Sequence, residues 1–202
     1  MINKISGAVM ISVMSVLVFA SCNKEQTTDV SNGLTSKSAN VFFKTNSEIP
    51  DTLRVPEGNR LVGDGFATGF QIYEVKRSAT DPNVFSWVNI APLATLFEKP
   101  DFTRPMAFHF AGPSWLLTKG PNKGERVVGK RVQGITVDAT AIQWLLLQAV
   151  DSLSSANNKI TFIQRLSTVG GLAPTSVADE AHLGQLDSIP YTAHYLFYEA
   201  KH

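Results

Sequence analysis

The 202-residue chain carries 18 basic and 17 acidic side chains, a net charge of +1, so it lacks the cationic excess a nucleic-acid surface needs. No patch of Lys and Arg with interleaved aromatics stands out either, and no nucleic-acid partner is expected. With the first segment set aside, roughly 180 residues remain, enough for one domain with a substantial core.

Residues 1–21 read as a signal peptide and are left out of fold reasoning. Lys4 supplies a positive start, and the apolar run 7–19 is too short for a permanent bilayer span. Phe19-Ala20-Ser21-Cys22 resembles a bacterial lipoprotein cleavage box, with Phe19 where Leu or Val is usual. In such a box the cysteine is acylated, with palmitate an expected chain, and becomes the first mature residue. Cys22 is the only cysteine, and an unpaired thiol in an exported protein otherwise has no purpose.

The apolar run 144–150 is far too short to cross a bilayer, so membrane attachment is expected through lipid on Cys22 alone. Residues 22–40, rich in Ser, Thr, Asn and Asp, read as a flexible tether. Asn23-Lys24-Glu25 resembles the charged tags of some bacterial surface lipoproteins. The expected location is the bacterial cell envelope, at the periplasmic face or the cell surface.

A single β domain is expected over 41–202. A short strand at 41–44 is followed by a turn at Pro56-Glu57-Gly58-Asn59. Residues 60–67 and 69–76 read as two strands or one long bent one, punctuated by Gly63, Gly65 and Gly69. Asp81-Pro82-Asn83 turns the chain into a strand at 84–90 centred on Trp87. Residues 91–98 suit a single helical turn, bracketed by Pro92, Pro100 and Pro105.

Residues 108–115, Phe-His-Phe-Ala-Gly-Pro-Ser-Trp, read as strand, sharp turn and strand, with His109 the one titratable group in an apolar run. A strand at 126–137 places Val127, Gly129, Arg131 and Gln133 opposite Val128, Val132 and Ile135. The run 142–149 is nearly all apolar, and periodicity alone leaves strand and buried helix open. Residues 159–166 read as a strand closed by Gly170-Gly171 and Pro174, and 177–186 as a short helix or ordered loop. Pro190 ends that connection. The final strand, 191–200, sets Tyr191, Tyr195 and Phe197 on one face and His194, Leu196 and Tyr198 on the other.

Nine or so strands without crossover-length helices predict an all-β fold, an antiparallel β-sandwich or barrel-like domain with at most one or two short helices.

Several runs together resemble the domain-of-unknown-function family numbered 3455, exported proteins of bacteria and fungi without an established activity. They are 55–59, the Gln71-Ile72-Tyr73 strand, 109–115, Trp144-Leu145-Leu146-Leu147, 170–174 and 191–198. The resemblance covers about residues 53–200 and implies a strand over 142–149. It also implies a cross-link in relatives, where cysteines stand at the positions of Val75 and Ala178. Their joint replacement here implies that the strand near Val75 lies beside the loop near Ala178, held by packing alone.

No motif assigns a reaction. His109 reads as a structural imidazole, or as a general base or ligand if His194 and an acid such as Asp64, Glu57 or Asp179 converge on it. His182, His194 and His202 form no metal-binding spacing with His109, and no metal or cofactor is expected. Ser114 does not sit in a nucleophile elbow. Tyr73, Tyr195, Tyr198, Trp87, Trp115 and Trp144 read as core or as a platform for a ligand, and the amides of Asn59, Gln71, Gln143 and Gln164 as pocket lining or sheet cross-links. The ligand-binding candidates are His109, Tyr73, Gln71, Trp115, His194 and Tyr195. Three functions follow: binding of a small molecule, glycan or protein; an enzyme with a site assembled around His109; or a structural envelope protein with an exposed apolar patch and no deep pocket.

Overall fold

The computed structural model describes residues 49–150 and 154–201. Cys22 and the segments expected to be a signal peptide, a tether and a short strand at 41–44 lie outside the described residues.

The architecture follows from one long strand. β1 (Asn59–Arg77) runs for 19 residues and has enough edge to pair on both sides. On one side it pairs with β2 (Phe85–Phe97), and on the other with the last strand, β8 (Leu186–Ala200). Between them β3 (Pro105–Phe110), β4 (Ser114–Leu117), β5 (Arg126–Ile135), β6 (Trp144–Ala149) and β7 (Ile160–Gly170) follow in sequence order, each antiparallel to the next. Of the two architectures left open by the sequence, this is the closed barrel: eight strands without a free edge. No helix among the described residues is long and apolar enough to cross a membrane.

The barrel decides between the alternatives at 60–76 and 177–186 and corrects other local readings. Residues 60–76 form one strand, and 91–97 continue β2 rather than coil into a helical turn. Pro190 lies inside β8, opposite Phe70. The β7 strand runs on to Gly170 past a register shift between Leu166 and Val169, where Ser167 takes a positive φ of 49°. In β5 a bulge between Arg131 and Gln133 changes the parity: Arg131 pairs with inward Leu147, whereas Gln133 pairs with outward Leu146. Gln133 therefore joins the Ile135 face and not the Arg131 face. The 177–186 segment is an ordered loop with one 3-10 turn at Glu180–His182, capped by the Asp179 side chain.

Strand alternation sorts the core into two layers. The lumen is filled from all eight strands by Ala67, Ala94, Leu96, Ala107, Trp115, Val127, Leu147, Ile163, Tyr191, Ala193 and Tyr195. Small residues on β1, β2, β3 and β8 leave room for large ones opposite, the usual way a narrow barrel is filled. The second layer is outside. Residues 49–55 cross the outer face of the barrel and bury Ile49 and Leu53 against Trp144, Leu146, Leu166, Leu196 and Tyr198. Tyr198 hydroxyl donates to Gln164 Oε1 at 2.7 Å, and Gln164 Nε2 donates to the Leu53 carbonyl at 2.7 Å. These bonds satisfy the polar atoms that the strap buries.

Candidate functional site

In an eight-stranded meander the β1–β2, β3–β4, β5–β6 and β7–β8 connections share one end of the barrel. A cavity of about 550 Å³ opens there, within the range of small-molecule sites. Its inner end is Trp115. This side chain starts on β4 and reaches β8, half-way round the barrel, stacking on His109 at 4.5 Å and meeting Tyr195 edge-on at 5.4 Å and Phe197 at 6.0 Å. Gly129 makes the crossing possible, since a Cβ there would stand 3.1 Å from the Trp115 ring. Trp115 also lines a second cavity, of about 900 Å³, at the opposite end, so its ring divides the lumen.

The mouth is built by two loops. Ile142 N–H donates to the Gly170 carbonyl at 2.9 Å and Thr168 hydroxyl donates to the Ile142 carbonyl, which pins the β5–β6 loop to the end of β7. Tyr73 hydroxyl donates to the Gly171 carbonyl at 2.7 Å, bringing the β7–β8 loop over β1. Gly171 needs to be glycine for two reasons: its φ is +78°, and a Cβ would sit 2.9 Å from Tyr191 Cβ and 3.2 Å from Gln71 Cγ.

Five of the six candidate residues line this cavity: His109, Tyr73, Gln71, Trp115 and Tyr195. His194 does not. It faces outward, stacked on Phe66 at 4.3 Å, with Nε2 2.9 Å from Asp64 Oδ2. The convergence of His109 with His194 and an acid that a site at His109 would require is thus prevented by the barrel wall. Asp179 is engaged with His182 at 2.6 Å, and Glu57 lies in the exposed turn before β1. Among the described residues no three His, Cys, Asp or Glu side chains could hold a metal ion. Of the other amides, Gln143 lines the cavity, Gln164 lies under the outer strap, and Asn59 bonds Thr161.

Burial sets the protonation of the lining. His109 Nδ1–H donates to the Ser114 carbonyl at 2.9 Å, and desolvation, aided by the Arg165 charge, pushes its pKa down to about 3 despite that bond. The imidazole is therefore neutral, its lone pair on Nε2. Burial likewise pushes the phenols of Tyr73, Tyr191 and Tyr195 up, against the opposing pull of Arg165, so they keep their protons.

Two residues central to the site were not among the sequence candidates. Arg165 sits on β7 opposite Leu145 and Tyr195, both lumen residues, and so points inward. Its Nε and one Nη donate to the Gln143 carbonyl at 3.1 and 2.9 Å. Arg131 lies at the rim. The signal for Arg165 was present as a charged residue two positions from Ile163, on the same buried face, but it required knowing that the face was a lumen.

No Asp or Glu lines the cavity, so its fixed charge is cationic. Its buried polar atoms are also incomplete. Gln71 Nε2, Trp115 Nε1 and Tyr195 hydroxyl, together with the neighbouring Tyr191 hydroxyl, have no protein partner within hydrogen-bond geometry. The Tyr191 hydroxyl meets the Tyr195 hydroxyl and the Gln71 amide, and the Tyr195 hydroxyl meets the Arg165 guanidinium, closely enough to shift the ionisation of the two phenols, yet the four unpaired atoms complete no bond of ordinary distance and angle.

Comparison with known proteins yields one family. No curated protein and no solved structure matches the chain. A family model described as "Protein of unknown function (DUF3455)" matches residues 56–199, which span β1 to β7 entire and all of β8 but its last residue. With more than half of its length covered, the chain belongs to that family.

Proposed function

We propose that this chain is a lipid-anchored envelope protein whose barrel binds a small molecule in the cavity between Trp115 and the β7–β8 loop. The observation that carries this reading is the set of buried donors around that cavity. Gln71 Nε2, Trp115 Nε1 and Tyr195 hydroxyl stand on strands of the barrel and complete no hydrogen bond of ordinary geometry within the protein. Unpaired buried polar atoms cost about 1–3 kcal/mol each, which a bound molecule or ordered water recovers. A cavity of about 550 Å³ set inside the mouth of a barrel favours a small molecule over a protein or an extended glycan. Catalysis at His109 is less well supported, because burial makes its imidazole a weak base and no carboxylate bonds to it.

The binding test is a thermal-shift and tryptophan-fluorescence screen of the full chain against small organic acids, alcohols, amides, short glycans and divalent metals. A ligand specific to the folded state adds about 2.7 kcal/mol at a hundredfold excess over its Kd, a shift of several degrees for a domain of this size. Trp115→Phe should weaken such a ligand. If nothing in the panel shifts the melting temperature or the emission, the binding reading fails.

The anchor rests on the sequence around Cys22. Labelled palmitate should enter the chain in its bacterial host and be lost in Cys22→Ala, with the protein leaving the membrane fraction. Retention of the label in that variant would disprove it.

A further inference from the structure

We infer that the cavity takes an organic carboxylate with an apolar body, its charged end received by Arg165 and its body lying against Trp115, Leu145 and Leu147. This rests on the binding reading above and narrows it to a chemical class.

Three observations converge. First, the charges in and around the cavity have one sign: Arg165 projects into the lumen, Arg131 stands at the rim, and no acidic side chain lines the wall. Among the described residues no carboxylate pairs with either arginine. A partly buried guanidinium that meets only a carbonyl oxygen and the Tyr195 phenol, with no carboxylate beside it, is a strong receptor for an anion, since a carboxylate matches its planar fork.

Second, the buried lining atoms that complete no bond can all donate. An indole N–H and an amide Nε2 can only donate, and the Tyr195 phenol, a protonated hydroxyl, can donate as well as accept. The Gln71 amide is also oriented: its Oε1 is occupied by Asn89 Nδ2 at 3.0 Å, which turns the NH2 end toward the Tyr191 hydroxyl, with no completed bond there, and toward a ligand. A neutral sugar needs donors and acceptors in balance, and an ammonium needs acceptors. A carboxylate needs only donors. Third, the rest of the wall is apolar, with Ile142, Leu145, Leu147 and Leu172 around the aromatic inner end. That wall suits a hydrocarbon or aryl body better than a compact inorganic anion.

The test compares three isosteric probes on the full chain by calorimetry at pH 7: octanoate, octanamide and octylammonium. Octanoate should bind about tenfold or more tighter than octanamide, and octylammonium should be weakest. Raising the ionic strength should narrow the octanoate preference. In Arg165→Gln the ratio of octanoate to octanamide affinity should fall to about one, while Arg131→Gln, at the exposed rim, should lower it by about two- to threefold. If Arg165→Gln does not fold, the wild-type ratio and its salt dependence still decide the matter.

Equal binding of octanamide and octanoate, or preference for octylammonium, overturns the carboxylate inference and leaves the cavity reading intact. Binding of a neutral compound from the screen with none of the three probes bound does the same. No binding by any probe or by any screened compound overturns both.

Discussion

Asn89 Nδ2 donates to Gln71 Oε1 across the β1–β2 pair at 3.0 Å, and that bond decides which end of the Gln71 amide meets the cavity. Asn89 is held in turn by the Ile72 carbonyl, at 3.2 Å, beside the β1–β2 register shift. Replacing the donor by an acceptor should reverse the amide. In Asn89→Asp the carboxylate would draw Gln71 Nε2 toward itself and turn Oε1 to the lumen, so octanoate affinity should fall further than in Asn89→Ala. The alanine variant should cost about 0.5–1.5 kcal/mol of stability in denaturant titrations. Equal octanoate affinity in the two variants would show that Gln71 does not contact the ligand.

His109 should make the fold acid-sensitive in a defined window. Its folded pKa is pushed from 6.5 down to about 3, so above pH 6.5 both folded and unfolded states hold it neutral and it adds no pH dependence. As pH falls below 6.5 the unfolded chain takes a proton that the native chain refuses, and stability drops until about pH 3. Arg165 and Tyr195 face the ring and no carboxylate does, which leaves nothing to stabilise the cation. His109→Phe should flatten the stability profile between pH 6.5 and 4 while losing about 1–3 kcal/mol at pH 7 from the orphaned Ser114 carbonyl. Urea midpoints measured across that range supply the check. An unchanged slope would mean the imidazole is protonated in the fold.

The outer strap should contribute global stability, independently of the cavity. Leu53 is fully buried, and its carbonyl completes the Gln164–Tyr198 chain of hydrogen bonds. Leu53→Ala should cost about 2–5 kcal/mol by denaturant titration, as large-to-small substitutions in a core do. Affinity for any lumen ligand should hold in the folded fraction, because Leu53 packs on the outside of the barrel wall. A proportionate loss of affinity would mean the wall transmits the change.

The loop that covers the mouth is tied to β1 without a cross-link. Val75 N–H donates to the Gln185 carbonyl and Val75 carbonyl accepts from Gly184 N–H, both at 2.9 Å, while Trp87 Nε1–H donates to the Ser176 carbonyl at 3.0 Å. The strand near Val75 therefore lies beside the loop that includes Ala178, as the family resemblance implied. Val75→Cys with Ala178→Cys, in a Cys22→Ser background, should oxidise to a disulfide and stabilise the domain by about 2–4 kcal/mol. Thiol titration and melting with and without reductant would test this. Two free thiols after oxidation would refute it.

Much of this protein can be read from local pattern. Alternation alone put Tyr191, Tyr195 and Phe197 on one face of the last strand and His194, Leu196 and Tyr198 on the other, because side chains in a strand alternate whatever the strand packs against. The 108–115 hairpin was equally legible from its Gly-Pro break. The prolines misled for a shared reason. Pro92 and Pro190 each pair with β1 at a point where the ladder to their other neighbour has not begun or has just ended, so a missing N–H is tolerated inside the strand.

What the chain's order could not reveal is closure. The pairing of β1 with β8 joins residues more than a hundred positions apart, and it alone turns one face of each strand into a lumen. Only then does Trp115 span the interior and form the inner end of a cavity, does Arg165 become a cation facing inward, and do His109 and His194 fall on opposite sides of a wall. Periodicity records which residues share a face of one strand. Which faces enclose a common space is set by long-range hydrogen bonding, and that is a property of the folded barrel.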